Sequence, residues 1–276
     1  MIDLHCHILP AVDDGSRSLD ESLEMARMMA TDGVAIVACT PHIMPGVFNN
    51  DGWTIRAAVA QLQRALDDAN IAIHLVVGAD VHVAPNLVDG LRSGAVLSLH
   101  DTRFVLIEPP HHVLPPRLDE TFFALMAAGR VPVLTHPERL SWIDQRYDVM
   151  KRFFNAGVWM QITAGSLLGD FGRGPRYWAE RMLDEGMCHI LATDAHGAKR
   201  RAPRLRAGYE AAAKRVGESE AIEMVLRRPY GILENRLASA MAAPAGAEQA
   251  ETLPESKGLW RRFLKGVGLA ADSAPQ

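Results

Sequence analysis

The sequence predicts an α/β protein built on parallel strands, in a barrel or an open sheet, with helices covering the strands. Three observations predict it. Short apolar, β-branched runs alternate with stretches of helical periodicity, the pattern of repeated βα units. Most of those runs are apolar almost throughout, as strands covered on both faces are. Imidazole and carboxylate side chains then fall at the ends of the runs, and the C-terminal ends of parallel strands gather at one mouth.

In chain order the expected strands are Ile2 to Leu4, Val34 to Cys39, Ile73 to Val77, Phe104 to Ile107, Val131 to Leu134, Val158 to Ile162 and His189 to Ala192. The first helix is announced by Ser18 with Glu21 three residues on, a capping-box pattern ahead of Leu23, Met25, Ala26 and Met29. Gly33 ends it. Met25, Met28 and Met29 read as core filling on the inner face of that helix. Further helices are expected near 53–69, 117–128, 145–156, 175–185, 203–216 and 218–227. Composition shifts near residue 241, which divides the chain into a domain over 1–240 and a tail over 241–276. Residues Ala242 to Ser256 are rich in Ala, Pro and Glu and read as a flexible linker. Leu259-Trp260-Arg261-Arg262-Phe263-Leu264-Lys265 follows, short, basic and amphipathic. It reads as a frayed terminal helix first, with weak contact to a membrane surface or a partner as the alternative.

Composition excludes several classes. The 276 residues, 48% apolar, suffice for one large α/β domain or two small ones. A net charge of -4 argues against nucleic-acid binding, because phosphate backbones select basic surfaces. No apolar run approaches the ~20 residues that span a bilayer. Met1-Ile2-Asp3-Leu4-His5 carries neither a basic region nor a long apolar one, so a cytoplasmic protein is expected. The cysteines, Cys6, Cys39 and Cys188, are odd in number and widely spaced, and read first as small buried residues, with a role at the site as the alternative for Cys6 and Cys39, which lie close to the candidate ligands. A phosphatase that uses a cysteine nucleophile needs an arginine six positions further on. Those positions hold Val12, Pro45 and Asp194, so that mechanism is absent.

The chemistry-bearing residues sit where the strands end. His5 and His7 are two apart in extended chain, so both rings can face one ion. Asp14 follows them, and Asp194-Ala195-His196 repeats the i, i+2 spacing after the last strand. His42 follows Pro41, and His136 precedes Pro137, which stiffens the backbone at each histidine. Glu108 closes an apolar run, where a carboxylate is costly to bury unless paired or metal-bound. Asp80 ends a similar run. These nine N and O donors at one mouth point to more than one divalent ion and to a polynuclear metallohydrolase. Of the other histidines, His82 is expected behind the ligands and His111 and His112 near the mouth. His74 and His189 are expected in core or edge positions and His100 on the surface. Arg139 and Arg201, close behind His136 and His196, add a guanidinium rim suited to phosphate oxygens.

At these residues the chain resembles the PHP (polymerase and histidinol phosphatase) superfamily, and within it the bacterial protein-tyrosine phosphatases of capsule and exopolysaccharide loci. The motifs that carry the resemblance are Met1-Ile-Asp-Leu-His-Cys-His7, Val12-Asp-Asp-Gly15, Thr40-Pro-His42, Gly78-Ala-Asp80, Leu106-Ile-Glu108, His136-Pro-Glu-Arg139 and Thr193-Asp-Ala-His196. They extend over residues 1 to about 236. The resemblance implies a distorted (β/α)7 barrel holding three divalent ions, manganese first, with iron, zinc and magnesium as alternatives. It implies His5, His7, Asp80 and Asp194 around one ion. Asp80, Glu108 and His136 would hold a second, and Asp14, His42 and His196 the third. It assigns Arg139 and Arg201 to the phosphate, with Asp194 beside them in catalysis. One departure stands out: Asp80 replaces the family's usual Glu, and His82 and Val83 replace aromatic residues. The activity implied is direct hydrolysis of phosphotyrosine with no phosphocysteine intermediate. The partner implied is a phosphotyrosine protein, a bacterial tyrosine autokinase of polysaccharide export. A small-molecule phosphatase such as histidinol phosphatase and a catalytically silent metal-binding scaffold are the rival readings. A polymerase-associated module is disfavoured by the chain's length.

Overall fold

The computed structural model describes residues 1–246. The strands are β1 (Ile2–Cys6), β2 (Ile36–Cys39), β3 (His42–Ile43), β4 (His74–Val77), β5 (Asp80–His82), β6 (Phe104–Glu108), β7 (Val131–Thr135), β8 (Trp159–Thr163) and β9 (Ile190–Ala192). All pairings between them are parallel. One sheet runs β1-β2-β4 and the other β3-β5-β6-β7-β8-β9. The two are stitched together. β2 passes into β3 across Thr40 and Pro41, and β4 passes into β5 across Gly78 and Ala79. At the far side Asp194 N–H donates to His5 C=O (2.8 Å) and His7 N–H to Ala195 C=O (2.9 Å), so β1 runs beside the end of β9.

The seven expected strands are all present. Two details differ. The second and third continue as the two- and three-residue β3 and β5, too short to leave a periodic signal. β1 extends through Cys6, because the hydrogen bonds to residues 194 and 195 prolong it, so His5 lies within the strand instead of after it.

The helices are α1 (Leu19–Asp32), α2 (Gly52–Asp68), α3 (Leu87–Ser93), α4 (Leu118–Ala127), α5 (Ile143–Asn155), α6 (Ala164–Leu168), α7 (Arg173–Asp184), α8 (Leu205–Ile222) and α9 (Arg228–Leu233). Ser18 caps α1 by accepting the Glu21 N–H. Only half of the capping box forms, since the Glu21 carboxylate accepts the Arg17 N–H instead. Gly33, at φ 85°, closes the helix by donating to Ala30 C=O. Met25 and Met29 are fully buried, as core filling requires. The break expected between two helices near 217 is Gly217, at φ 77° and ψ 157° inside α8. The short α3 and α6 were not read from the sequence.

The core runs from β1 outward through the strands to the inner faces of the helices. Cys6, Cys39 and Cys188 are buried in it, and burial pushes their thiols well above the ordinary range. The expected linker starts on the body of the domain. Arg228, fully buried, donates to Ala242 C=O (2.8 Å) and Ala243 C=O (3.1 Å) and pairs with Glu220 (2.7 Å). The rest of the linker, and the basic stretch at 259–265, lie outside the described residues. Among those described, no helix is long and apolar enough to cross a membrane.

Candidate metal centre

The donors lie in the strands or in the segments that follow them. His5 and His7 come from β1. His42 opens β3 and sits in register with Asp80, which opens β5. Glu108 ends β6, in register with His82 of β5. His136 follows β7, while Asp194 and His196 follow β9. Asp14 comes from the loop after β1. That loop folds back so closely that a Cβ on Gly15 would lie 2.2 Å from His7 C=O, so only glycine fits. His136 (φ 34°) and Asp194 (φ 49°) have left-handed backbones, a local strain typical of functional sites.

Donor atoms from all nine expected residues come together there. His5 Nε2 lies 3.2 Å from His7 Nε2, 3.3 Å from Asp194 Oδ1 and 3.4 Å from Asp80 Oδ2. His7 Nε2 lies 3.4 Å from the same Asp194 oxygen. Asp14 Oδ1 lies 3.5 Å from His42 Nε2 and 3.4 Å from His196 Nε2. Glu108 faces His136 Nε2 at 3.4 Å through Oε1 and His42 Nδ1 at 3.4 Å through Oε2. Ligands about 2.1 Å from one ion stand about 3.0 to 3.4 Å apart, depending on coordination number. The observed spacings match that polyhedron edge and are long for hydrogen bonds.

A second observation agrees. Both oxygens of fully buried Asp80, with His42 Nδ1, His136 Nδ1 and His196 Nε2, have no hydrogen-bond partner among the described residues. Buried carboxylates and imidazoles are normally satisfied. A cluster of buried N and O atoms left open in this way fits divalent cations. Donors within 4.8 Å of one another form several groups, among them His7-Asp14-His42-His196, His5-His7-Asp80 and His5-His136-Asp194. The residues present therefore fit metal ions.

Electrostatics sorts the imidazoles. Burial lowers the pKa of His42, His136 and His196, the last to about 4, so their lone pairs are free at neutral pH. At His7 burial opposes the charge, but Asp13 and Asp194 outweigh it and raise the pKa to about 10. Burial opposes ionisation of Asp194 too, yet Arg201, His5, His7 and Arg139 hold it well below the usual carboxylate range. Asp194 divides its oxygens: Oδ1 faces His5 and His7, and Oδ2 accepts from both Arg139 and Arg201. Both guanidinium groups also lie over the Phe171 ring, 4.4 and 5.7 Å from its centroid.

Some participants were not read from the sequence. Asp13 Oδ2 stands 2.7 Å from His7 Nδ1. Gln161 Oε1, on β8, stands 2.8 Å from His5 Nδ1. Asp3 accepts the Thr193 N–H and the Thr193 hydroxyl, and Glu138 accepts the Thr163 N–H and the Ser166 hydroxyl. Gln161 and Asp3 do leave a signal, a polar residue in the middle of an apolar run. His82 and His111 both contact Glu108, on opposite oxygens, and each belongs to a possible ligand group. His112, expected near the mouth, is exposed, as His100 is. His74 is exposed on β4 and His189 is buried just ahead of β9.

The profile of the capsular polysaccharide synthesis family, CpsB/CapC, matches residues 1–234. The chain belongs to the CpsB/CapC family. Among CpsB/CapC relatives, the tyrosine-protein phosphatase YwqE of Bacillus subtilis is 36% identical over 201 residues, 73% of this chain and 79% of its own. CapC of Staphylococcus aureus is 32% identical over 196 residues, 71% of this chain and 77% of its own. A crystal structure from work on YwqE of Bacillus subtilis and CpsB of Streptococcus pneumoniae, described as unique metal-dependent tyrosine phosphatases, superposes with a TM-score of 0.83 at 32% identity. It covers 89% of this chain and 99% of its own.

Proposed function

We propose that this chain is a metal-dependent protein-tyrosine phosphatase. The observation that carries the reading is the pairing of two arginines, Arg139 and Arg201, with a centre of nine inward-facing N and O donors. A scaffold needs no phosphate clamp beside its ions. Membership of a family whose relatives are named tyrosine-protein phosphatases supports the same reading.

In this proposal the two sheets are one distorted (β/α)7 barrel, and three divalent ions, manganese first, lie at its mouth. His5, His7, Asp80 and Asp194 would hold one. Asp80, Glu108 and His136 would hold a second, and Asp14, His42 and His196 the third. Bound ions would supply positive charge for the phosphoryl oxygens and lower the pKa of water to near neutrality. The chain's residues do the rest. Arg139 and Arg201 exchange Asp194 for the phosphate dianion and hold it for in-line attack. Asp194 keeps both guanidiniums aimed, and Phe171 fixes their height. The phenolate of phosphotyrosine leaves readily, since its conjugate acid has a pKa of about 10, so no dedicated general acid is required. The buried, protonated thiols take no part.

The natural substrate in this reading is a phosphotyrosine protein, a bacterial tyrosine autokinase of capsule or exopolysaccharide synthesis. Three unpaired, buried cysteines fit action in the reducing cytoplasm. The test is hydrolysis of a phosphotyrosine peptide by metal-stripped protein, with and without Mn²⁺, beside His136→Ala. Metal-dependent turnover lost in the variant supports the proposal. No turnover by protein of verified metal content overturns it, and faster turnover of histidinol phosphate than of the peptide reassigns the substrate.

A further inference from the structure

Beside the metal centre lies a cavity of about 600 Å³ that the chemistry above does not use. Arg201 lines it and so belongs to both spaces. Phe171 lies along it, and Lys199, Arg200 and Arg204 stand around it. Its one lining carboxylate, Asp170, is already paired with Arg204. Lys199 and Arg200 are exposed and make no hydrogen bond or ion pair with any described residue. The chain as a whole is acidic, with net charge -4. Unpaired cations around a concave space therefore form a local field opposite in sign to the rest of the molecule, and a cleft concentrates such a field.

We propose that this cavity is a specificity subsite for anionic side chains next to the scissile phosphotyrosine. The inference rests on the phosphatase reading and names the substrate class within it. With the phosphate held by Arg139 and Arg201, a substrate chain leaving past Phe171 enters the cavity. Its neighbouring residues, about 3.3 Å apart when extended, come under Lys199 and Arg200. A Glu or Asp there, or a second phosphorylated residue, supplies the missing counter-charge. Exposed pairs of this kind are individually weak and screened by salt. The subsite should therefore tune selectivity without being needed for turnover.

The test uses Mn²⁺-loaded full-length protein, p-nitrophenyl phosphate, and phosphotyrosine peptides of equal length flanked by Glu, by Ala, by Lys or by a second phosphotyrosine. The expected result is a kcat/KM for the Glu-flanked and doubly phosphorylated peptides about three- to tenfold above the Ala peptide. That preference should collapse at 0.5 M salt, where the Debye length is only about 4 Å. In Lys199→Glu/Arg200→Glu the order should reverse in favour of the Lys peptide, with p-nitrophenyl phosphate turnover unchanged. Equal rates on all the peptides, with normal p-nitrophenyl phosphate turnover, overturn the subsite alone. Loss of p-nitrophenyl phosphate turnover in the wild-type protein overturns the phosphatase reading and the subsite with it. A preference for Glu over the second phosphotyrosine, or the reverse, identifies which anion the subsite fits while upholding it.

Discussion

Asp13 Oδ2 stands 2.7 Å from His7 Nδ1 and also accepts the His42 backbone N–H at 3.0 Å. One carboxylate thus fixes the ring of one candidate ligand and the chain at another. With Nδ1–H turned to Asp13, Nε2 of His7 faces the centre. Asp13→Ala should therefore weaken metal binding about 10- to 100-fold while every direct donor remains. Titration of apo protein with Mn²⁺, followed by calorimetry, checks this. Unchanged affinity would mean that the His7 ring is held by its packing alone.

Asp80 presents the opposite case. It is wholly buried, and among the described residues neither oxygen has a hydrogen-bond partner, while the imidazoles of His5 (3.4 Å) and His42 (3.5 Å) face Oδ2. In metal-free protein such a carboxylate is a burden, because long contacts to imidazoles compensate its burial only in part. Asp80→Asn should leave the melting temperature of the stripped protein equal or higher. The rise in melting temperature on adding Mn²⁺ should shrink or vanish, since stabilisation by a ligand follows its affinity. A variant that melts lower when stripped, yet keeps the full metal-induced rise, would show Asp80 to be structural.

Arg139→Ala and Arg201→Ala should each lower kcat/KM on a phosphotyrosine peptide by about a hundredfold or more, the scale for removing one donor to a developing charge. Metal content, read by elemental analysis, should stay the same. The double variant should fall short of the product of the single losses, because both side chains meet at one anion. Strict multiplicativity would mean that they act at separate places.

His189 gives a pH prediction away from the centre. Its Nδ1 accepts the Met160 N–H at 3.0 Å and its ring stacks on Trp159. Burial, with Arg228 nearby, pushes its pKa down to about 3. The unfolded chain binds that proton near pH 6.5 and the folded chain does not. The contribution is thus complete above pH 6.5 and is lost as the pH falls towards 3, about 2 kcal/mol of it by pH 5. His189→Asn keeps an acceptor near Nδ1 but loses the stack. It should melt below the wild type at pH 7.5, with the gap closing or reversing at pH 5. Parallel melting curves across that range would contradict the assignment.

The sequence carried the strands and their terminal donors because both are written locally: an apolar run, then a charged or imidazole residue. It carried the site as a set, since parallel topology brings strand ends together whatever the intervening loops do. Asp13 was harder, because Asp14 beside it has the same chemistry and only the fold decides which one faces His42 and His196 and which one holds the His7 ring. Gln161 and Asp3 work on other side chains, so their partners are far away in sequence. His82 depends on β5, and three residues leave no periodicity to read. The start of the tail was legible by composition but not by contact, since Arg228 reaches Ala242 and Ala243 through backbone carbonyls that any residue would supply.

The two guanidinium groups on Asp194 bear on what substrate binding has to accomplish. Arginine is long and loses much rotamer freedom when fixed. Here that loss is already taken in the folded protein, because Asp194 accepts from both guanidinium groups and Phe171 sits beneath them. Under the proposed function an arriving phosphate would meet donors already ordered and aimed, and its binding would be an exchange of one anion for another. Selectivity in that reading would start with charge: a ligand carrying a single negative charge would displace the resident carboxylate less well than a dianion.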